Sequence, residues 1–200
     1  MIGKQKGFTL IEILVVVTII GVLAGLVVVL IPRGRAEADK VACTNNQKQI
    51  LGLVQLAERA YENSGPNFIL YFVNKGEIKG ENLKVLFCPG DQFDTLKDTG
   101  GEAAYKGLDL SAHQYEKLTS YAGRDQANQN CKVSRSSSDP AILICDDSED
   151  HHDKKGFVCG YNDGSVKWKD KVDDWKVAVD TVIEIGEGST IKDLQCLKSE

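Results

Sequence analysis

From Ile13 to Ile31 the chain runs for 19 residues without a charged side chain. At about 1.5 Å of rise per residue, a helix of that length covers about 28 Å, enough to cross a hydrocarbon core. A secretory signal peptide would have a shorter apolar region and a small-x-small cleavage site, whereas Pro32-Arg33-Gly34-Arg35 follows here. A plain single-pass anchor explains the length and the preceding Lys4 and Lys6, although Arg33 and Arg35 on the far side blur the charge asymmetry. It does not explain Glu12. A carboxylate driven to the bilayer centre costs about 2 to 3 kcal/mol, so one at the edge of an apolar run calls for a partner. Cleavage after Gly7 would create a new ammonium group at Phe8, four residues before Glu12. The same ammonium on a neighbouring chain could meet the carboxylate and set the axial register between subunits.

The run Gly7 to Val29, GFTLIEILVVVTIIGVLAGLVVV, resembles the processing and assembly segment of type IV pilins and type II secretion pseudopilins. It joins a short basic leader ending in Gly7, an aromatic residue at Phe8, a glutamate (Glu12) as fifth mature residue and an uninterrupted apolar helix. The resemblance implies cleavage by a prepilin peptidase in the inner membrane and N-methylation of Phe8. It also implies extraction of the mature subunit by an assembly ATPase into a helical filament of itself or related pilins. Gly21 and Gly25 add a GxxxG spacing that lets helices approach closely. Pro32 lies a few residues later than the proline usual in this family.

The rest of the chain, out of 200 residues, suffices for one globular domain of about 150 residues. The full sequence has 24 basic and 29 acidic residues, a net charge of -5, which becomes -7 once Lys4 and Lys6 are removed with the leader. No global positive field draws it to nucleic acid. Cys43, Cys88, Cys131, Cys145, Cys159 and Cys196 all follow the apolar segment, which fits an oxidising compartment beyond a membrane. They contain no CxxC or CxxCH spacing of the kind structural zinc or haem sites use, so disulfides are preferred over metal. The pairing stays open.

Between Ala36 and Asn63, apolar residues recur at Ile50, Leu53, Val54, Ala57 and Tyr61, the period of a helix that packs one face on a domain. Asn63-Ser64-Gly65-Pro66 predicts its end near Ser64. Residues 67–73 read as a strand or short helix and 85–88 as a short strand. Residues 92–129 read as irregular, with one helix at 111–118. Strands are expected at 141–145, 156–161 and 165–169, the last two joined as a hairpin through Asn162-Asp163-Gly164. A helix or strand at 174–185 and a short helix at 190–198 close the chain. CTNNQKQILGL, LFCPGDQ, TSYAG and YNDGSVKW together resemble pilin-like proteins with a C-terminal DG hairpin. Those proteins often carry a histidine shortly upstream of the DG pair; His151 and His152 lie in that region, at a different spacing.

The loop holding Asp146, Asp147, Glu149, Asp150, His151, His152 and Asp153 is oxygen-rich, and Asp147, Asp150 and Asp163 are the calcium candidates. It lacks the twelve-residue calcium-loop pattern, so a solvated acidic loop is the preferred reading and no other cofactor is expected. Cys145 and Cys159 beside the histidines invite a nucleophile or zinc site, but exported cysteines more often pair with each other. Lys154, Lys155, Lys167, Lys169, Lys171 and Lys176 with nearby aromatics could suggest a DNA surface. Interrupting aspartates favour a lysine-rich edge strand instead.

The expectation is an α+β protein. Residues 1–7 are a leader, 8–31 a transmembrane or filament-core helix, 32–65 its amphipathic half, and 66–200 a globular head with a small antiparallel sheet. It is expected to be non-catalytic, a structural subunit of a type IV pilus or type II secretion pseudopilus. It would start in the inner membrane with its head outside the cytoplasm and pass into a periplasmic or extracellular filament. A minor or tip pilin, or a membrane-anchored binding module that never polymerises, is the alternative.

Overall fold

A computed structural model describes residues 7–57, 61–91, 100–108, 118–134, 137–152, 154–178 and 180–198. The chain divides into two compact units, Met1–Ala38 and Asp39–Glu200, with helix α1 (Leu10–Leu56) contributing to both. In the first unit the described side chains from Phe8 to Ile31 are all exposed. The helix is long and apolar enough to cross a membrane, and its apolar window buries nothing.

The start of α1 is set by a capping box. Thr9 Oγ1 accepts the Glu12 N–H at 3.3 Å, while Glu12 Oε2 accepts the Thr9 N–H at 2.7 Å and the Thr9 hydroxyl at 2.8 Å. Thr9-Leu10-Ile11-Glu12 thus satisfies helix-end donors reciprocally.

The second unit is α+β. Helix α2 (Asn67–Asn74) settles the ambiguity at 67–73 in favour of a helix, entered through Pro66. Strands β1 (Tyr121–Arg124), β2 (Ile142–Asp146), β3 (Gly156–Tyr161), β4 (Val166–Asp170) and β5 (Leu197–Lys198) form one antiparallel sheet, in the order β4-β3-β2-β1-β5. The β3–β4 hairpin turns through Asn162-Asp163-Gly164 as expected, with Gly164 at φ +82°, a conformation that favours glycine. β4 is an edge strand, which suits its lysines.

Strands β1, β2 and β3 are buried along their whole length, so both faces of the sheet are covered. Tyr121, Leu143, Ile144 and Val158 belong to the core that includes Ile50, Leu51 and Val54 of α1 and Phe68 and Phe72 of α2. Ala122, Ile142, Cys145, Phe157, Cys159 and Tyr161 belong to a second core with Ile183, Ile191, Leu194 and Leu197 of the C-terminal segment. Alternation along a strand accounts for this sorting. Its one break, Leu143 and Ile144 on the same side, coincides with a register shift between Ile142 and Ile144. Gly160 also lies on the α1 side, where a Cβ would come within 2.6 Å of Leu51 Cδ1.

Several sequence expectations are corrected. α1 ends at Leu56, not near Ser64, where Ala57 N–H bonds back only three residues to the Val54 carbonyl. Gly65 does take a left-handed φ of +59°, but as a turn ahead of α2, its N–H bonded to the Arg124 carbonyl. Residues 85–88 are not a strand, since Gly80–Leu86 is a 3₁₀ helix. Irregular structure was expected at 121–124, where β1 lies, because the strand is short and made regular only by its partners. Residues 174–185 form turns and loop among the described positions. The expected helix at 190–198 is a single 3₁₀ turn, Lys192–Leu194, followed by β5. The helix expected at 111–118 falls on 111–117, outside the described residues, apart from Leu118.

Candidate metal centre

The α1 periodicity that buries Ile50 and Val54 continues toward the N-terminus through Gln47 and Cys43, placing a polar amide and a thiol on the buried face. Both face Asp146, the last residue of β2, which strand alternation turns toward α1 after Cys145 points away. Cys43 Sγ lies 2.9 Å from Asp146 Oδ1, and Gln47 Nε2 donates to the same oxygen at 3.3 Å and to the Val158 carbonyl at 2.8 Å. The Val158 N–H donates to Asp146 Oδ2 at 2.6 Å.

Two loops complete the cluster. A 3₁₀ turn, Glu149–His152, follows β2 and carries both histidines inward. His152 Nε2 sits 3.1 Å from Asp146 Oδ2 and 3.6 Å from Cys88 Sγ. His151 Nε2 lies 3.2 Å from Asp91 Oδ2 and 3.4 Å from Asp147 Oδ1. Asp91 Oδ2 also accepts the Ser120 hydroxyl at 2.6 Å. The loop Cys88-Pro89-Gly90-Asp91 therefore supplies a partner to each histidine.

One ligand atom each from Cys43, Cys88, Asp146 and His152 lies within 4.8 Å of all the others, and all four residues are buried. Among the described residues this is the one group of three or more cysteine, histidine and acidic side chains that converges so closely. Its electrostatics are those of crowded anionic groups. Burial pushes the Cys43 thiol well up, reinforced by Cys88 and Asp146. A hydrogen bond from Cys43 pulls Cys88 strongly down, with His151 and His152 adding to it against burial. Burial disfavours charge on His152, but Asp146 and Cys88 outweigh it and raise the ring to about 9. Against the same penalty, Asp91, Cys88 and the neighbouring aspartates carry His151 to about 11.

A thiol–imidazole–carboxylate set also suggests nucleophilic catalysis, but the geometry differs from that of a triad. Asp146 and Cys88 address the same Nε2 of His152, while Nδ1, which an orienting carboxylate would hold, has no partner among the described residues.

The residues singled out from sequence are placed as follows. Cys131 and Cys196 form a disulfide; Cys43, Cys88, Cys145 and Cys159 are free and buried thiols. Cys145 and Cys159 are register partners across β2 and β3, on the sheet face away from Asp146 and the histidines. The three calcium candidates do not converge among the described residues. Asp147 faces His151, Asp150 pairs with Lys154 at 3.4 Å, and Asp163 accepts the Ser165 N–H at 2.8 Å in the hairpin turn. Of the lysines weighed for DNA, Lys171 is buried, Lys169 reaches Asp174 at 3.5 Å, and Lys167 lies over the Tyr161 ring. Gly7, Phe8 and Glu12 belong to the exposed start of the first unit.

Sequence reading missed the Cys43–Cys88–Asp146–His152 set. The local signal within reach was the four-residue spacing of Cys43 and Gln47 on the face that Ile50 and Val54 mark as buried.

Residues 2–28 match the family model of the prokaryotic N-terminal methylation motif. The N-terminus is thus a prepilin-type segment of the type IV pilin and pseudopilin kind. No characterised protein and no solved structure matches the chain.

Proposed function

We propose that the chain is a non-catalytic structural subunit of a type IV pilus or type II secretion pseudopilus, cleaved after Gly7, methylated at Phe8 and polymerised through α1. The observation that carries this reading is the match over residues 2–28, which runs into a helix whose apolar side chains from Leu10 to Ile31 are all exposed where described. An apolar surface of that extent needs lipid or other helices to cover it. In this reading the precursor sits in the inner membrane, and neighbouring subunits replace lipid on assembly.

Glu12 has two roles that differ in time. Before processing, its carboxylate closes the capping box with Thr9. After processing, an ammonium at Phe8, on its own or a neighbouring chain, becomes available to the same carboxylate, and that pairing sets subunit register.

Electron microscopy of surface or periplasmic filaments, combined with mass spectrometry of the mature N-terminus, tests the proposal. The expected result is filaments whose subunits begin at methylated Phe8, and a Glu12→Ala chain that is processed yet fails to enter them. A chain retaining residues 1–7, or a Glu12→Ala chain incorporated at the wild-type level, would overturn it.

A further inference from the structure

We propose that the head contains a structural zinc site in which Cys43, Cys88, Asp146 and His152 are the four ligands, tying α1 to the sheet. Two sulfurs, one imidazole nitrogen and one carboxylate oxygen form a donor set suited to a thiophilic d¹⁰ cation. Calcium, by contrast, takes six to eight hard oxygens. With bonds of about 2.0 to 2.3 Å, the edges of a tetrahedral zinc site run about 3.3 to 3.8 Å. Cys88 Sγ and His152 Nε2 are 3.6 Å apart, within that range, His152 Nε2 is 3.1 Å from Asp146 Oδ2, and one ligand atom from each of the four residues lies within 4.8 Å of the rest, so small shifts close the four onto an ion.

The ligands come from a helix, a loop, a strand and a 3₁₀ turn, and are 0, 1, 0 and 6% exposed respectively. A cation held by all four would be shielded from water on every side, in contact with two sulfurs and a carboxylate. The surroundings hold the ligands in position. Val158 N–H and Gln47 Nε2 each bind one oxygen of Asp146, and the Trp168 ring meets His152 edge-on at 5.4 Å. Four protein ligands leave no open position, which marks a structural rather than a catalytic centre. Folding of the head is then coupled to zinc supply, because the sites come together only in the folded chain.

The full chain in detergent, purified with its thiols reduced, should bind one zinc ion per chain by elemental analysis. With Co²⁺ alone as probe it should show the sulfur-to-cobalt charge-transfer band and the intense visible bands of a tetrahedral site. Chelation should lower Tm. Cys43→Ser, Cys88→Ser and His152→Ala should each weaken binding by about tenfold or more. A Cys145→Ser/Cys159→Ser chain, altered on the opposite sheet face, should keep the stoichiometry and the cobalt spectrum. Since the wild-type spectrum stands whether or not the variants fold, a reduced wild-type chain that gives no cobalt–thiolate band overturns the proposal. Cobalt bands that depend on Cys145 and Cys159, or native protein isolated with a Cys43–Cys88 disulfide and no metal, overturn it equally. The readout is metal binding, so its failure leaves the filament reading untouched.

Discussion

Gly90 lies so close to His151 that a Cβ on it would stand 2.0 Å from the His151 carbonyl oxygen and 3.0 Å from its carbonyl carbon. Both obstructing atoms are backbone, so no side chain can rotate out of the way. The contact is what lets the Cys88–Asp91 loop deliver Cys88 to His152 and Asp91 to His151.

Gly90→Ala should therefore separate the loop from the histidine turn and lower stability by about 1 to 3 kcal/mol, the usual range for overpacking. Urea unfolding of the full chain in detergent measures this. Gly52→Ala is the contrast: Gly52 is helical, exposed and has nothing within 4 Å of a Cβ, so the change should stabilise by about 0.5 to 1 kcal/mol. Equal effects from the two substitutions would refute the account of Gly90.

Thr9 and Glu12 separate capping from assembly. Thr9→Val removes the hydroxyl half of the capping box, which costs about 0.5 to 2 kcal/mol of helix stability, but leaves the Glu12 carboxylate in place. Filament incorporation should survive Thr9→Val and be lost in Glu12→Ala. Loss in both would mean that Glu12 acts through the cap alone, a distinction read from immunoblots of sheared filaments.

Asp125 should make the head acid-sensitive. Burial would raise its pKa, but hydrogen bonds from Lys198 and Ser64, the Lys198 charge 2.8 Å away and the Ala127 N–H hold it below the ordinary carboxylate value. For a pKa lowered by folding, the stabilisation is complete above the unfolded value of about 3.9 and is lost as the pH falls through the native one. Melting temperatures of wild type and Asp125→Asn should differ at neutral pH, with wild type higher; the gap should begin to narrow near about pH 4 and close once the pH is below the lowered native pKa. Lys198 is half exposed, so added salt should shrink the neutral-pH gap.

The Cys131–Cys196 disulfide closes a loop of sequence separation 65 and anchors the segment leading into β5 beside the one that follows β1. By chain entropy such a loop is worth about 4 kcal/mol. Cys131→Ser/Cys196→Ser should lower the urea midpoint accordingly, with β5 and the adjoining Lys192–Leu194 turn losing amide-exchange protection first. Uniform loss of protection across the sheet would contradict that order.

What could be read from the sequence is what nearest neighbours along the chain decide. The uncharged run, the Ile50 and Val54 stripe of α1 and the turn at Asn162-Asp163-Gly164 each rest on a period or a turn contained in a few residues, and each is present in the fold. The short strands β1 and β5 were not legible, because two to four residues carry no period and take strand form only when a partner supplies hydrogen bonds. The metal centre belongs wholly to that second class. Cys43 and Asp146 are 103 residues apart, and Cys88 and His152 are 64 apart. Local spacing rules for zinc ligands cannot see such pairs. Strand alternation and a glycine contact at His151 decide that Asp146 turns toward α1, that Cys145 and Cys159 turn away, and that Cys88 reaches the histidine. The prepilin-type segment was set by sequence alone, because its recognition needs only a linear stretch; the cluster in the head exists only once the sheet has formed.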